Sequence, residues 1–91
     1  NPPQTKESAS VLNSIGIDLQ RQQQFDEARS YYERALAIRQ KYYSEDHPDI
    51  AQSLHSIGNV LDDQGKYSEA LKFYRQALQI RESLEEASKI R

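Results

Sequence analysis

The chain has no cysteine, no methionine and no tryptophan, and its 91 residues include only 3 glycines, 3 prolines and 2 histidines. Without cysteine there are no disulfide staples and no thiolate metal site; the compartment stays open, with the cytoplasm favoured. No apolar run approaches the roughly 20 residues of a membrane span, and no signal-peptide pattern is present. A formal net charge of −2 gives no general attraction to phosphate or anionic lipid, which makes nucleic acid and membrane poor partners. Also missing are a glycine-rich phosphate loop, a nucleophile beside a base, and a pair of catalytic carboxylates. A chain of this size suits one domain and buries only about 60 to 65% of its unfolded surface, so an internal cofactor pocket is disfavoured and an enzyme with it. No cofactor is expected. The start at Asn1-Pro2-Pro3, without an initiating Met, is what a segment cut from a longer chain would show.

What the chain does have, it has twice. Leu12, Ser14, Ile15, Gly16 and Leu19 return as Leu54, Ser56, Ile57, Gly58 and Leu61, at an offset of 42 residues. Glu27, Ala28, Tyr32, Ala35, Leu36, Ile38 and Arg39 return at the same offset as Glu69, Ala70, Tyr74, Ala77, Leu78, Ile80 and Arg81. Repetition at a period of about 20 to 50 residues marks a stacked array, in which no single unit can bury its own apolar face. Function is therefore expected on a surface.

The spacing predicts helix pairs. Leu12, Ile15, Gly16 and Leu19 follow the i, i+3, i+4, i+7 rule, and their copies repeat it, giving the first helix of each unit. Ala28, Tyr32, Ala35, Leu36 and Arg39, with their copies, give the second. Gly65 fits a left-handed helix end, whereas Gln23 at the equivalent place predicts a strained turn. Asp26 and Ser68 are the expected N-caps of the second helices, and Asn1 that of the first, with Gln4 three residues on. Pro48 is expected in the first turn of the third helix, with His47 a turn residue. Gly16 and Gly58 each cost about 1 kcal/mol relative to Ala in a helix, so their recurrence implies a close helix contact. Tyr31, Tyr32, Tyr42, Tyr43, Phe73 and Tyr74 read as repeat core or packing of the second helices, not as a base-stacking platform.

These residues resemble the tetratricopeptide repeat, which places a large residue, Leu, Gly and a second large residue on its first helix, and Ala, an aromatic and Ala on its second. Leu12, Ile15, Gly16, Leu19, Ala28, Tyr32 and Ala35 match in one unit, and Leu54, Ile57, Gly58, Leu61, Ala70, Tyr74 and Ala77 in the other. Gln40 and Glu82 stand where the family has proline, and the period is 42 instead of about 34, similar to the variety found in kinesin light chains. The resemblance implies an all-α fold, a right-handed superhelical stack of antiparallel helix pairs, with repeat 1 over residues 1–44 and repeat 2 over residues 45–91. It implies a non-catalytic protein–protein interaction scaffold that binds a peptide or partner protein on the concave face of the first helices. A self-associating structural repeat and a regulatory segment of a larger enzyme are the alternatives.

By helical phase, the groove residues implied are Ser10, Asn13, Ile17, Gln20 and Arg21 in the first unit, and Gln52, His55, Asn59, Asp62 and Asp63 in the second. Asn59 resembles the family's backbone-gripping amide, which donates and accepts at once. The family's clamp on terminal carboxylates needs converging Lys and Arg, and here Arg21 alone faces Asp62 and Asp63. A neutral or weakly basic partner is therefore expected over an acidic one. His55, Asn59 and Asp62 share one stripe but fall short of the four ligands of a structural zinc site, so no metal is expected. Finally, Arg81 to Arg91 lacks glycine and proline and should extend the last helix. The end face, Ile57, Leu61 and Leu78, is then expected to stay partly bare and to drive homo-oligomers, end to end or by helix exchange.

Overall fold

Two short turns and one longer connection divide the chain into four helices and no strand among the described residues, which in this computed structural model are 5–44 and 46–90. The helices are α1 (Lys6–Arg21), α2 (Phe25–Tyr42), α3 (Pro48–Asp63) and α4 (Tyr67–Ile90). The early part of α1 packs on the late part of α2, with Ala9 and Leu12 against Ala35 and Ile38, so the pair is antiparallel. In the same way Ile50, Ala51 and Leu54 of α3 meet Ala77 and Ile80 of α4. Helix α3 also packs on α2, and the largest cluster joins Ala28 and Tyr32 of α2 to Ile57, Val60 and Leu61 of α3 and Ala70 of α4. The resulting slab measures 43 × 35 × 16 Å, little thicker than one helix with its side chains.

Both turns within the pairs are the same device. Gly65 N–H donates to Asp62 O at 2.9 Å and Lys66 N–H to Leu61 O at 2.8 Å, while Gln23 N–H donates to Gln20 O and Gln24 N–H to Leu19 O, both at 2.9 Å. These are the two crossed bonds of a Schellman cap, which needs a left-handed residue. Gly65 supplies it at φ 78°, and Gln23 is forced into it at φ 64°, a conformation that costs an L residue about 1 kcal/mol or more.

The recurring glycines have a matching cause. A Cβ on Gly16 would lie 2.6 Å from Tyr32 Cε1, and one on Gly58 would lie 2.6 Å from Tyr74 Cε1. Each tyrosine ring of the second helix thus packs directly on the backbone of the first. Its hydroxyl reaches across as well, Tyr32 donating to Gln20 Oε1 and Tyr74 to Asn59 Oδ1, each at 2.7 Å.

Several expected ends are corrected. Thr5 is the N-cap of α1, its Oγ1 accepting from Ser8 N–H in a capping box, and the expected start at Asn1 and Gln4 lies outside the described residues. Asp26 and Ser68 are the second residues of α2 and α4, not their caps. The N-cap of α2 is Gln24, which follows directly from the Schellman turn and makes no side-chain cap bond. His47 is a cap: its Nδ1 accepts from Asp49 N–H at 3.0 Å, and its ring stacks on Tyr43 with centroids 3.5 Å apart. Tyr42 is half-exposed, outside the core.

The bare end is not where the repeat pattern puts it. Ile57 and Leu61 are fully buried, because α3 lies between α2 and α4 and has a neighbour on each side. Only Leu78, 55% exposed, stands open, and its companions are Tyr67 and Leu71 on the outer side of α4.

Candidate functional site

The expected groove residues lie on α1 and α3, and the structure uses several of them internally. Gln20 joins the two helix pairs: it accepts from Tyr32 and donates through Nε2 to Asp63 Oδ2 at 2.7 Å. Gln64 makes a second bridge, donating to Asp26 Oδ1 at 2.8 Å. Gln52 accepts from Arg39 at 3.0 Å, which holds its amide against α2. Arg21 reaches Asp18 at 3.9 Å, a surface pair of little energetic weight. Asn13 is not a groove residue in the sense expected: it is only 6% exposed, and its Oδ1 is buried without a partner. It falls on the α1 stripe of Ala9, Leu12 and Gly16 that α2 covers, whereas its copy His55 is exposed.

On α3 the arrangement is more open. Asn59 is half-buried and accepts from Tyr74 through Oδ1, which fixes the amide so that its N–H groups remain to donate. His55 is exposed and tilts over Tyr74, with ring centroids 5.1 Å apart. Asp62 is exposed two turns beyond His55, and Ser10 and Ile17 are exposed on α1. Among the described residues no three His, Asp or Glu side chains converge as a metal would require. The electrostatics are acidic. The phenol of Tyr74 is pushed up by burial and then by Asp62 and Asp63; that of Tyr32 is pushed up by burial and Asp63, with Arg21 opposing.

Sequence reasoning missed the cation at the centre of the molecule. Arg39 is 3% exposed, and its Nη1 donates to Ser53 Oγ at 2.9 Å, Gln52 Oε1 at 3.0 Å and the Asp49 carbonyl at 3.1 Å. These neutral acceptors stand in for lost water and tie α2 to the first turns of α3. Its recurrence as Arg81 was visible in the sequence, but its role depends on which helix lies beside it.

The two paired turns, the tyrosine-on-glycine contacts and the shared α3 describe one unit laid down twice, and a protein-family comparison matches the tetratricopeptide repeat over residues 7–83. The chain belongs to the tetratricopeptide repeat family. A comparison with curated proteins finds no match. Tetratricopeptide repeats generally mediate protein–protein interaction, binding proteins or peptides, and are typically non-catalytic scaffold modules. Among the described residues no helix is long and apolar enough to cross a membrane.

Proposed function

We propose that this tetratricopeptide pair, with its units at residues 1–44 and 45–91, is a non-catalytic module that takes up a peptide along the α1/α3 face. The observation that carries the reading is Asn59, whose Oδ1 is held by the Tyr74 hydroxyl at 2.7 Å, leaving its N–H groups aimed at no other described residue. An amide fixed in this way grips a peptide carbonyl without losing side-chain entropy on binding. Ile17 and His55 offer flanking apolar and aromatic contact. Asp62 and Asp63, with Arg21 the one cation among these residues, set the preference for a neutral or weakly basic ligand over an acidic one.

Peptide libraries of matched composition and opposite charge test this by fluorescence anisotropy. Asn59→Ala should weaken any ligand about tenfold, the loss of one or two well-placed hydrogen bonds. Asp62→Lys together with Asp63→Lys should reverse the charge preference. A ranking unchanged in both variants would remove the ligand from this face.

A further inference from the structure

The seam between the two helix pairs is tied at one end and open at the other. Beside the Schellman turns, Gln20 reaches Asp63 at 2.7 Å and Gln64 reaches Asp26 at 2.8 Å. Further along, Leu36 of α2 and Phe73 of α4 both pack on the two apolar clusters that α3 shares with its neighbours. One helical turn beyond them the same rows carry Gln40 and Gln76, and the packing gives way to a cavity of about 580 Å³ between α2, α4 and the start of α3.

The cavity floor is apolar: Ile50 and Leu54 of α3, both buried, and Ile80 of α4. The rim is polar, with Gln40 on the α2 side and Gln76, Gln79 and Ser83 on the α4 side, all four exposed. None of these four side chains bonds to another described residue, whereas Gln20, Gln52 and Gln64 are each committed to a neighbour. Their donors and acceptors are on offer. Tyr43, next in the α2 row, forms the end wall and is kept there by its stack on His47. Asp46 is the one charged residue among the nine that line the cavity, and it pairs with no described cation.

We propose that this cavity is a second binding site, for a small organic cation: an ammonium group on a branched or aromatic apolar body that also carries an amide or hydroxyl. The ammonium pairs with Asp46, the body covers Ile50, Leu54 and Ile80, and the polar group bonds to the rim amides. An anion would meet a carboxylate and no cation to offset it. A bare metal ion would find a single carboxylate. The volume falls within the range of small-molecule sites, while nine lining residues are far below the roughly 20 to 30 a side of a stable protein interface. Nor does α4 turn into the cavity: it carries Ser83 on the rim and continues unbroken to Ile90, about 10 Å further on. No residue of α1 lines the cavity and none of the groove residues does, so the proposal does not depend on the peptide reading.

The test is a titration of the 91-residue chain with L-leucinamide, which has all three features, followed by nuclear magnetic resonance. Saturable shifts are expected at the side-chain amides of Gln40, Gln76 and Gln79 and the methyl groups of Ile50 and Ile80, with a Kd of about 1 mM, the scale for so small a ligand. N-acetyl-leucinamide, the same body without the charge, should bind about tenfold more weakly, and Asp46→Asn should weaken leucinamide by a similar factor. Ser83→Phe, which puts a ring into the cavity, should abolish binding. Asp46 and Ser83 are both exposed, so circular dichroism should show both variants folded. Asn59→Ala should change nothing. The proposal is overturned if no saturable shift appears by about 10 mM, if binding is indifferent to the acetyl group and to Asp46→Asn, or if the shifts fall on the α1/α3 face. A tetrapeptide beginning with Leu that bound more than about tenfold tighter than leucinamide would name the amino terminus of a peptide as the occupant and overturn it equally.

Discussion

Gly16→Ala sets two effects of known size against each other. Alanine in a helix interior is favoured over glycine by about 1 kcal/mol, and on that ground alone the variant would be more stable. The new methyl, however, would sit 2.6 Å from Cε1, 2.8 Å from Cδ1 and 3.1 Å from Cζ of Tyr32. Carbon atoms rest at about 3.5 to 4.0 Å, so the ring has to retreat by close to 1 Å. Tyr32 has nowhere to go: it is 1% exposed, is clustered with Ile57 and Leu61, and is held at its far end by the bond to Gln20. Overpacking of this kind costs about 1 to 3 kcal/mol, and a locked ring belongs at the upper end. The expected net loss is about 2 kcal/mol, read in urea unfolding and as a fall in Tm of roughly 8 to 16 °C for a domain of this size. Gly58→Ala makes the same contacts with Tyr74, but that ring is half-exposed at the open side of α4 and can swing away, so its loss should be under about 1 kcal/mol. Combining Gly16→Ala with Tyr32→Leu should cost less than the sum of the two by at least about 1 kcal/mol. If Gly16→Ala stabilised the protein, or if the pair proved additive, the close approach would not be the reason for the glycine.

The two arginines of the repeat should part company in the same assay: Arg39→Ala should destabilise by about 2 kcal/mol, since it strips three acceptors of a charged donor, while exposed Arg81→Ala should stay within about 0.5 kcal/mol of wild type. Equal effects would show that burial of Arg39 carries no weight. Gln23→Gly should stabilise by about 0.5 to 1 kcal/mol by relieving the φ of 64°, and Gly65→Ala should cost about 1 kcal/mol at its φ of 78°; opposite signs in thermal melts would contradict the cap assignment. Burial pushes the Tyr32 phenol above its ordinary 10.0, so the neutral form is the one the fold holds. Its contribution is complete below pH 10 and is lost as the pH rises through the higher folded value, and Tyr32→Phe should flatten that alkaline loss in pH-dependent urea midpoints.

The sequence by itself determined the unit and its internal packing. The 42-residue offset, the spacing of Leu12, Gly16 and Leu19, and the alanines of the second helices fix two helix pairs, because those patterns are local and each is written twice. The left-handed end at Gly65 and the strain at Gln23 are legible for the same reason, since a helix end is decided by its own few residues, while the left-handed conformation of Gln23 itself is seen only in the structure. The first cap escaped because Asn1 and Thr5 both offer capping side chains, and only the completed bond to Ser8 distinguishes Thr5. What lies beside what was decided by tertiary structure. Identical residues at equivalent positions meet different fates: Arg39 is buried and Arg81 exposed, Leu36 covered and Leu78 bare. No local pattern carries that difference, because it depends on whether another helix happens to be packed against the same face. The pattern of Ile57 and Leu61 alone leaves them open at the end of the array, and α3, with a neighbour on each side, buries them both.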